Sequence, residues 1–230
     1  MDALLLVEDS KSFGSLVQSR IQAALPIEAV LGDSFAQAET LLNQNPGRFF
    51  LAVLDLNLPD APNGEIVDLV LAQGIPVFVL TGIYRPDLQR DLLDRGVLDY
   101  FIKDNAGVIN AVIHAIDRIR KNRGVPVLVV DDSAAARQEI AGFLGRYGFR
   151  PLLAENGSQA MAVVARHDIH LVICDYDMPE MDGIRFVKGL REQRQRDDVA
   201  VIGFSSLDRP DLPVEFIKAG ANDFLFKPFQ

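Results

Sequence analysis

Short apolar runs alternate with amphipathic stretches along the whole chain. In the C-terminal half, VPVLVV, IHLVIC, VAVIGF and DFLFK are continuously hydrophobic, which favours strands buried on both faces of a parallel sheet. PLLA adds a further strand there, and IEAVLG is its counterpart in the N-terminal half. The stretch SAAARQEIAGFLGRYG has helical spacing, with Ser133 as N-cap and Gly148 as the stop. Alternating strands and helices predict a doubly wound α/β sheet in each half.

Three blocks of the sequence occur twice, in the same order and at nearly constant spacing. LLLVEDSKS resembles VLVVDDSAA at a spacing of 123, and LAVLDLNLPD resembles LVICDYDMPE at a spacing of 120. RPDLQRDLLDRGVLDYFIK resembles RPDLPVEFIKAGANDFLFK at a spacing of 124. Such a repeat indicates two copies of one domain of about 120 residues. We therefore expect domains at 1–123 and 124–230.

The two copies differ at their C-terminal ends. Residues 105–123 carry apolar side chains at helical spacing, which predicts a last helix of the first copy running directly into Gly124. The second copy stops at FKPFQ, directly after its last strand. The sequence thus predicts a second domain that lacks its last helix. A shortened domain could use a partner to cover the gap, but we favour the alternative that these residues are the input part of a longer protein.

Composition narrows the functional classes. The formal net charge of −9 disfavours direct contact with nucleic acid, although the acidity could serve divalent cations or solubility. The single cysteine, Cys174, excludes an internal disulfide and suits a reducing cytoplasm. The N-terminus does not resemble a signal peptide, and no apolar run approaches the length of a membrane span. A cytoplasmic protein without a membrane segment is the expectation.

Polar residues follow the predicted strands at the ends where sites form in doubly wound sheets. In the second copy these residues are Asp131, Asp132, Asp175, Ser205 and Lys227. In the first copy they are Glu8, Asp9, Asp55, Thr81 and Lys103. Any one acidic pair would more often be a solvated loop, but the duplicated set favours a site.

The residue types of this set favour phosphoryl chemistry. Carboxylates placed so close together repel one another unless a cation lies between them, and Mg²⁺ prefers oxygen ligands. Asp175 could then act as a nucleophile toward a phosphoryl group as well as a metal ligand. The hydroxyl of Ser205 and the ammonium of Lys227 could bind the phosphoryl oxygens.

Both halves resemble the receiver domain of bacterial two-component response regulators. The resemblance rests on four features: the acidic pair after the first strand, the DxxMPxxDG pattern from Asp175 to Gly183, the hydroxyl residue after the fourth strand (Thr81 or Ser205), and the Lys227-Pro228 dipeptide. It implies two five-stranded flavodoxin-like domains that accept phosphate on Asp55 and Asp175. The implied donor is a sensor histidine kinase or a phosphotransfer protein, and self-phosphorylation and self-dephosphorylation would be the chain's only catalytic activity.

The resemblance also implies roles for individual residues. In the second copy, the implied magnesium ligands are Asp132, Asp175 and the Asp177 carbonyl, with Asp131 acting through water. In the first copy, they are Asp9, Asp55 and the Asn57 carbonyl, with Glu8 nearby. The implied switch pairs are Thr81 with Tyr100 and Ser205 with Phe224. A face made of the fourth helix, fifth strand and fifth helix would report the switch and could form a homodimer. Tandem receivers of this kind often precede a diguanylate cyclase domain.

The first copy departs from the family pattern at two points. It has one more residue between Pro59 and Gly64 than the second copy has in the corresponding loop, and Asp104 follows Lys103 where the second copy has Pro228. Lys227-Pro228 is a candidate cis peptide bond, whereas Lys103-Asp104 is not. The first copy could therefore be a weaker phosphoacceptor or a docking domain.

Two other functions are open at this point. A phosphate-independent scaffold would use the receivers only for dimerisation or docking. An aspartate-nucleophile phosphatase also uses Asp-x-Asp with magnesium, but its motif follows the first strand, whereas Asp175 follows the third predicted strand. Cys174 is expected in the core, and His114, His167 and His170 are expected at the surface.

Overall fold

The computed structural model describes residues 3–82, 85–104, 107–206 and 209–227. The chain divides into two compact units, Met1–Lys121 and Asn122–Gln230. Each unit contains a five-stranded parallel sheet with alternating helices, so the predicted fold class is confirmed.

The first unit has the strand order β2-β1-β3-β4-β5. Its strands are β1 (Ala3–Val7), β2 (Glu28–Gly32), β3 (Phe49–Leu54), β4 (Val77–Thr81) and β5 (Asp99–Ile102). Its helices are α1 (Lys11–Ala24), α2 (Phe35–Gln44), α3 (Glu65–Leu71), α4 (Pro86–Asp94) and α5 (Val108–Asn122).

The second unit has the equivalent order, β7-β6-β8-β9-β10. Its strands are β6 (Pro126–Val130), β7 (Arg150–Ala154), β8 (Leu171–Asp175), β9 (Ala200–Ser205) and β10 (Asp223–Phe226). Its helices are α6 (Ala134–Arg146), α7 (Gly157–Arg166), α8 (Gly183–Arg191) and α9 (Leu212–Ala219). Over the described residues, this unit has four helices where the first has five.

Burial follows the hydrophobic pattern of the sequence. All residues of β1, β3 and β4 are buried, as continuous apolar strands between two helical layers require. Helix α5 buries one apolar stripe that includes Val112, Ile116 and Ile119. In the second unit, Leu225 and Phe226 on β10 remain 45% and 47% exposed.

The loop after β3 is tied to the start of helix α2 by a carboxylate. Asp60 accepts hydrogen bonds from the backbone N–H groups of Phe35 at 3.0 Å and Ala36 at 3.1 Å, which have no partners within the helix. These two bonds lower the pKa of Asp60, and the bond from Phe35 has the larger effect. The loop with the extra residue, between Pro59 and Gly64, therefore contacts the first turn of α2. The N-cap residues are equivalent in the two units: Ser34 accepts from Gln37 N–H at 3.3 Å, and Asn156 accepts from Gln159 N–H at 2.9 Å.

Replacing Asp60 with alanine should lower the stability of the first unit in a pH-dependent way. Because the folded pKa lies below the unfolded one, the stabilisation is complete above about pH 4 and is lost as the pH falls through the folded pKa. Urea midpoints of wild type and Asp60→Ala should therefore differ at pH 7 and converge at acidic pH. Glu180→Ala, at the corresponding loop position of the second unit, is the control. A difference that stays constant as the pH falls would contradict this role for the carboxylate.

The ring of Phe216 fills part of the core of the second unit. Phe216 on α9 is fully buried, and a Cβ atom added at Gly203 would lie 2.5 Å from its ring. The ring also contacts Tyr176 and Phe224, with centroids 6.3 and 5.2 Å away. The first unit has Val79 and Leu92 at the positions of Gly203 and Phe216, both fully buried. The two copies therefore fill the same region with different pairs of side chains.

Candidate functional sites at the strand ends

Both sites lie where the strand order reverses. Strand β1 lies between β2 and β3, and β6 lies between β7 and β8, so each first strand marks a switch point with a crevice beyond its carboxyl end. The predicted polar residues extend from these strand ends.

In the first unit, one ammonium group joins two acidic side chains that are distant in sequence. Lys103 Nζ lies 2.6 Å from Glu8 Oε2 and 2.6 Å from Asp55 Oδ2. The carboxylates are nearly buried, with residues only 3% and 6% exposed, while the Lys103 side chain is 16% exposed. The bonds are therefore shielded from water and stronger than those of a surface pair.

The backbone around the first site fixes its geometry. Asn57 N–H donates to Asp55 Oδ1 at 3.2 Å, and Lys103 N–H donates to the carbonyl oxygen of Thr81 at 2.8 Å. The Thr81 side chain is buried at the end of β4. The site opens into a cavity of about 420 Å³, which is lined by Glu8, Asp9, Ser10, Phe13, Asp55, Asn57, Thr81, Gly82 and Lys103.

The second unit repeats the arrangement. Lys227 Nζ lies 2.8 Å from Asp131 Oδ2 and 2.9 Å from Asp175 Oδ1. Asp177 N–H donates to Asp175 Oδ2 at 2.9 Å, and Ser133 N–H donates to Asp131 Oδ1 at 2.7 Å. Both units thus combine a lysine from the fifth strand, a buried acid from the first and the predicted nucleophile from the third.

Burial and charge act in opposite directions on these groups. Burial raises the pKa of Asp175, and the bond and charge of Lys227 offset part of that effect. Burial alone would lower the pKa of Lys227, but its bonds to Asp131 and Asp175 raise it overall. In the first unit, burial raises the pKa of Glu8 and Lys103 opposes it. Positive charge delivered to either cluster would favour the ionised carboxylates.

The carboxylates of the first site fit a divalent cation. Oxygen atoms of Glu8, Asp9 and Asp55 all lie within 4.8 Å of one another, and hard oxygen donors are what Mg²⁺ requires. Within the described ranges, Asp131, Asp132 and Asp175 do not form an equally compact trio. Asp132 is exposed, while Asp131 is buried in its contact with Lys227.

The residues of the predicted switch pairs lie on neighbouring strands, β4 with β5 and β9 with β10. Tyr100 is paired in register with Val79 on β4, and Phe224 with Gly203 on β9, in each case two residues before the Thr or Ser. Tyr100 is buried at 8% exposure, whereas Phe224 is partly exposed and packs on Phe216. The hydroxyl residues Thr81 and Ser205 are both buried.

Sequence reasoning missed the aromatic ring beside each lysine. Lys103 Nζ lies 5.0 Å from the centroid of Phe13, and Lys227 Nζ lies 4.4 Å from that of Phe204. Phe13 follows Asp9 by four residues, but Asp9 precedes the start of α1 at Lys11, so helical spacing gives no signal for the position of the ring. Phe204, next to Ser205, reads as an ordinary core residue of its strand.

Several expectations outside the sites can be compared with the structure. Cys174 is buried in the core, where burial raises the pKa of its thiol. His114, His167 and His170 are exposed, as expected. Pro228 and the peptide bond before it lie outside the described residues. None of the helices in the described part of the chain combines the length and apolar character needed to cross a bilayer.

Comparison with known proteins identifies the family. The profile described as "Response regulator receiver domain" matches residues 127–230. The chemotaxis protein CheY of Bacillus subtilis is 42% identical over 106 residues, which cover 45% of this chain and 86% of that protein. The chain belongs to the response regulator receiver family. A CheY homolog of Campylobacter jejuni is 34% identical over 105 residues, covering 45% of this chain and 81% of the homolog.

A structural comparison covers the whole chain. A solved structure described as a two-component system response regulator/GGDEF domain protein matches 100% of this chain and 93% of its own, with a TM-score of 0.84 and 34% identity. The resemblance and the fold predicted from the duplicated motifs are therefore confirmed. The chain is a receiver module of a two-component response regulator, and receiver domains are phosphoacceptor signalling domains.

Proposed function

We propose that Asp55 and Asp175 each accept a phosphoryl group, so that the chain carries two working receivers. The observation that supports this most strongly is the duplicated contact between a buried carboxylate at the end of the third strand and a lysine ammonium from the fifth. Asp55 and Asp175 stand at the end of the third strand of their units, whereas the nucleophile of an aspartate phosphatase follows the first, which favours an acceptor role. The donor would be a sensor histidine kinase or a phosphotransfer protein.

In the proposed reaction, one carboxylate oxygen of Asp55 attacks the phosphorus atom of the donor. The new O–P bond forms as the bond from phosphorus to the donor breaks, and the leaving group keeps that electron pair. The Lys103 ammonium would then pair with a phosphoryl oxygen, while its contact with Glu8 keeps it in place. Thr81 would contribute its hydroxyl to another phosphoryl oxygen. Asp131, Ser205 and Lys227 have the corresponding roles around Asp175.

Magnesium is the cation that we propose for both receivers. It would be held by Glu8, Asp9, Asp55 and the Asn57 carbonyl in the first, and by Asp131, Asp132, Asp175 and the Asp177 carbonyl in the second. When bound, it would neutralise the carboxylates and orient the phosphoryl oxygens. The compact oxygen cluster of the first unit supports this assignment.

We propose that phosphorylation biases a two-state switch in each receiver. The hydroxyls of Thr81 and Ser205 would move toward the phosphoryl group, and Tyr100 and Phe224 would respond. In the first unit, the surface of α4, β5 and α5 would report the change and could mediate homodimerisation.

The module would control an output domain in a longer protein. A diguanylate cyclase is the output that the comparisons support. Two similar structures are described as response regulator/GGDEF domain proteins; they are 34% and 35% identical to this chain, which covers 93% of each of them. The single cysteine thiol, Cys174, suits a reducing compartment, and we propose the cytoplasm.

Beryllofluoride binding tests the proposed function, since this group imitates a phosphoryl group on a carboxylate. With Mg²⁺, ¹⁹F spectra should contain two sets of bound signals, one absent from Asp55→Ala and the other from Asp175→Ala. Chelating the magnesium should remove both sets. If no signal depends on either aspartate, the chain would be better explained as a phosphate-independent scaffold.

A further inference from the structure

Phe13 lies at the mouth of the first site and faces its lysine. The residue is half-buried near the start of α1, lines the same cavity as Asp55 and places its ring centroid 5.0 Å from Lys103 Nζ. An ammonium at this distance is attracted to the negative face of the ring. The ring therefore adds a third contact to a group already bonded to Glu8 and Asp55.

The turn of α1 that carries Phe13 is packed closely against the acidic side of the site. A Cβ atom added at the neighbouring Gly14 would lie 3.2 Å from Glu8 Cγ. A larger residue at position 14 would therefore require the side chains of Glu8 and Leu31, or the turn itself, to shift by a few tenths of an ångström. Gly14 thus allows the backbone of α1 to approach the site and hold the Phe13 ring beside the ammonium.

The second receiver supports its lysine differently. Ala136 stands at the position of Phe13, and the aromatic partner of Lys227 is instead Phe204, a fully buried residue of β9. Leu80 is the counterpart of Phe204 in the first receiver. Among the described residues, the ring beside the lysine thus comes from helix α1 in the first copy and from the fourth strand in the second.

We infer that Phe13 is a positioning residue for the phosphorylation of Asp55 and acts by holding Lys103, an inference that rests on the proposed function of Asp55. Lysine has a flexible four-carbon stem, and its ammonium must leave its bond to Asp55 for a phosphoryl oxygen as the reaction proceeds. During that change the ring keeps the ammonium within the cavity. The lysine thus reaches the developing charge with less reorganisation.

The test uses the full chain in an Asp175→Ala background, where only Asp55 can accept phosphate. Phe13→Leu keeps an apolar side chain but removes the ring, and it should slow phosphorylation by acetyl phosphate and Mg²⁺ roughly three- to tenfold, the factor that one cation–π contact supplies. Phe13→Tyr keeps the ring and should retain the parent rate. Phe13→Met is a second ringless variant if Phe13→Leu folds poorly. Ala136→Leu, measured at Asp175 in an Asp55→Ala background, is the matched control and should leave the rate unchanged.

An NMR readout separates positioning from general packing. The ε-methylene protons of Lys103 should be shifted upfield by the ring current in the parent and in Phe13→Tyr, and this shift should disappear in Phe13→Leu. Equal rates in the parent and both ringless variants, or equal slowing in the leucine and tyrosine variants, would overturn the inference while leaving Asp55 an acceptor. If the parent takes no phosphate on Asp55 although the ring-current shift is present, the proposed function of this receiver fails and the role of Phe13 fails with it.

Discussion

Replacing Lys103 with methionine is expected to slow phosphorylation of Asp55 by at least about 100-fold, the usual effect of removing one preorganised group that stabilises a developing oxyanion. The ammonium is the cationic side chain that contacts Asp55, at 2.6 Å, and methionine keeps much of the stem volume without the charge. The rate should be followed by intact mass with acetyl phosphate and Mg²⁺.

Lys227→Met is the matched variant and should slow phosphorylation of Asp175 while leaving Asp55 at its normal rate. Lys121→Met serves as the charge control, because Lys121 is 67% exposed and pairs with Asp117 on the surface of α5. Its rates should equal those of the wild type. A Lys103→Met variant that accepts phosphate at the wild-type rate would contradict the role assigned to the ammonium.

The second large effect concerns stability: Gly203→Val should destabilise the second receiver by about 1–3 kcal/mol, the usual cost of overpacking a core. The first Cβ atom alone would lie 2.5 Å from the ring of Phe216, which is enclosed by Tyr176 and Phe224. Chemical denaturation of the full chain should show the loss in the transition of the second receiver and not in that of the first.

Phe216→Leu should restore much of the lost stability when combined with Gly203→Val. The double variant reproduces the pair Val79 and Leu92, which fills the same place in the first receiver. Gly189→Ala on α8 is the control, since a Cβ there meets no atom within 4 Å and alanine favours a helix. If the double variant is less stable than Gly203→Val alone, the two copies do not exchange these side chains as a volume-matched pair.

The duplicated pattern was sufficient to predict the fold because strand and helix periodicity dominate in a doubly wound sheet. The apolar stripe of residues 105–123 predicted α5, and its members Val112, Ile116 and Ile119 are indeed buried. Parallel strands also bring their carboxyl ends together whatever the loops contain. For this reason the sequence alone predicts that Glu8, Asp55 and Lys103, far apart along the chain, lie at one edge of the sheet, and the structure brings them into contact there.

What the sequence could not predict depends on side-chain direction and on packing between elements. The acidic pairs look symmetric in sequence, but only Glu8 and Asp131 are buried against the lysine, while Asp9 and Asp132 face solvent. The rings beside the two lysines come from different elements, so no shared motif marks them. The fit of Phe216 over Gly203 depends on the distance between α9 and β9, which periodicity does not encode.

The central claim is that the chain contains two independent phosphoacceptor sites. Intact-protein mass after incubation with acetyl phosphate and Mg²⁺ tests it most directly, on wild type, Asp55→Ala and Asp175→Ala. We predict two phosphoryl additions on the wild type and one on each variant. A single addition that is lost only in Asp175→Ala would contradict the claim for the first receiver and leave it a docking domain. No addition to any of the three proteins would contradict the claim for both.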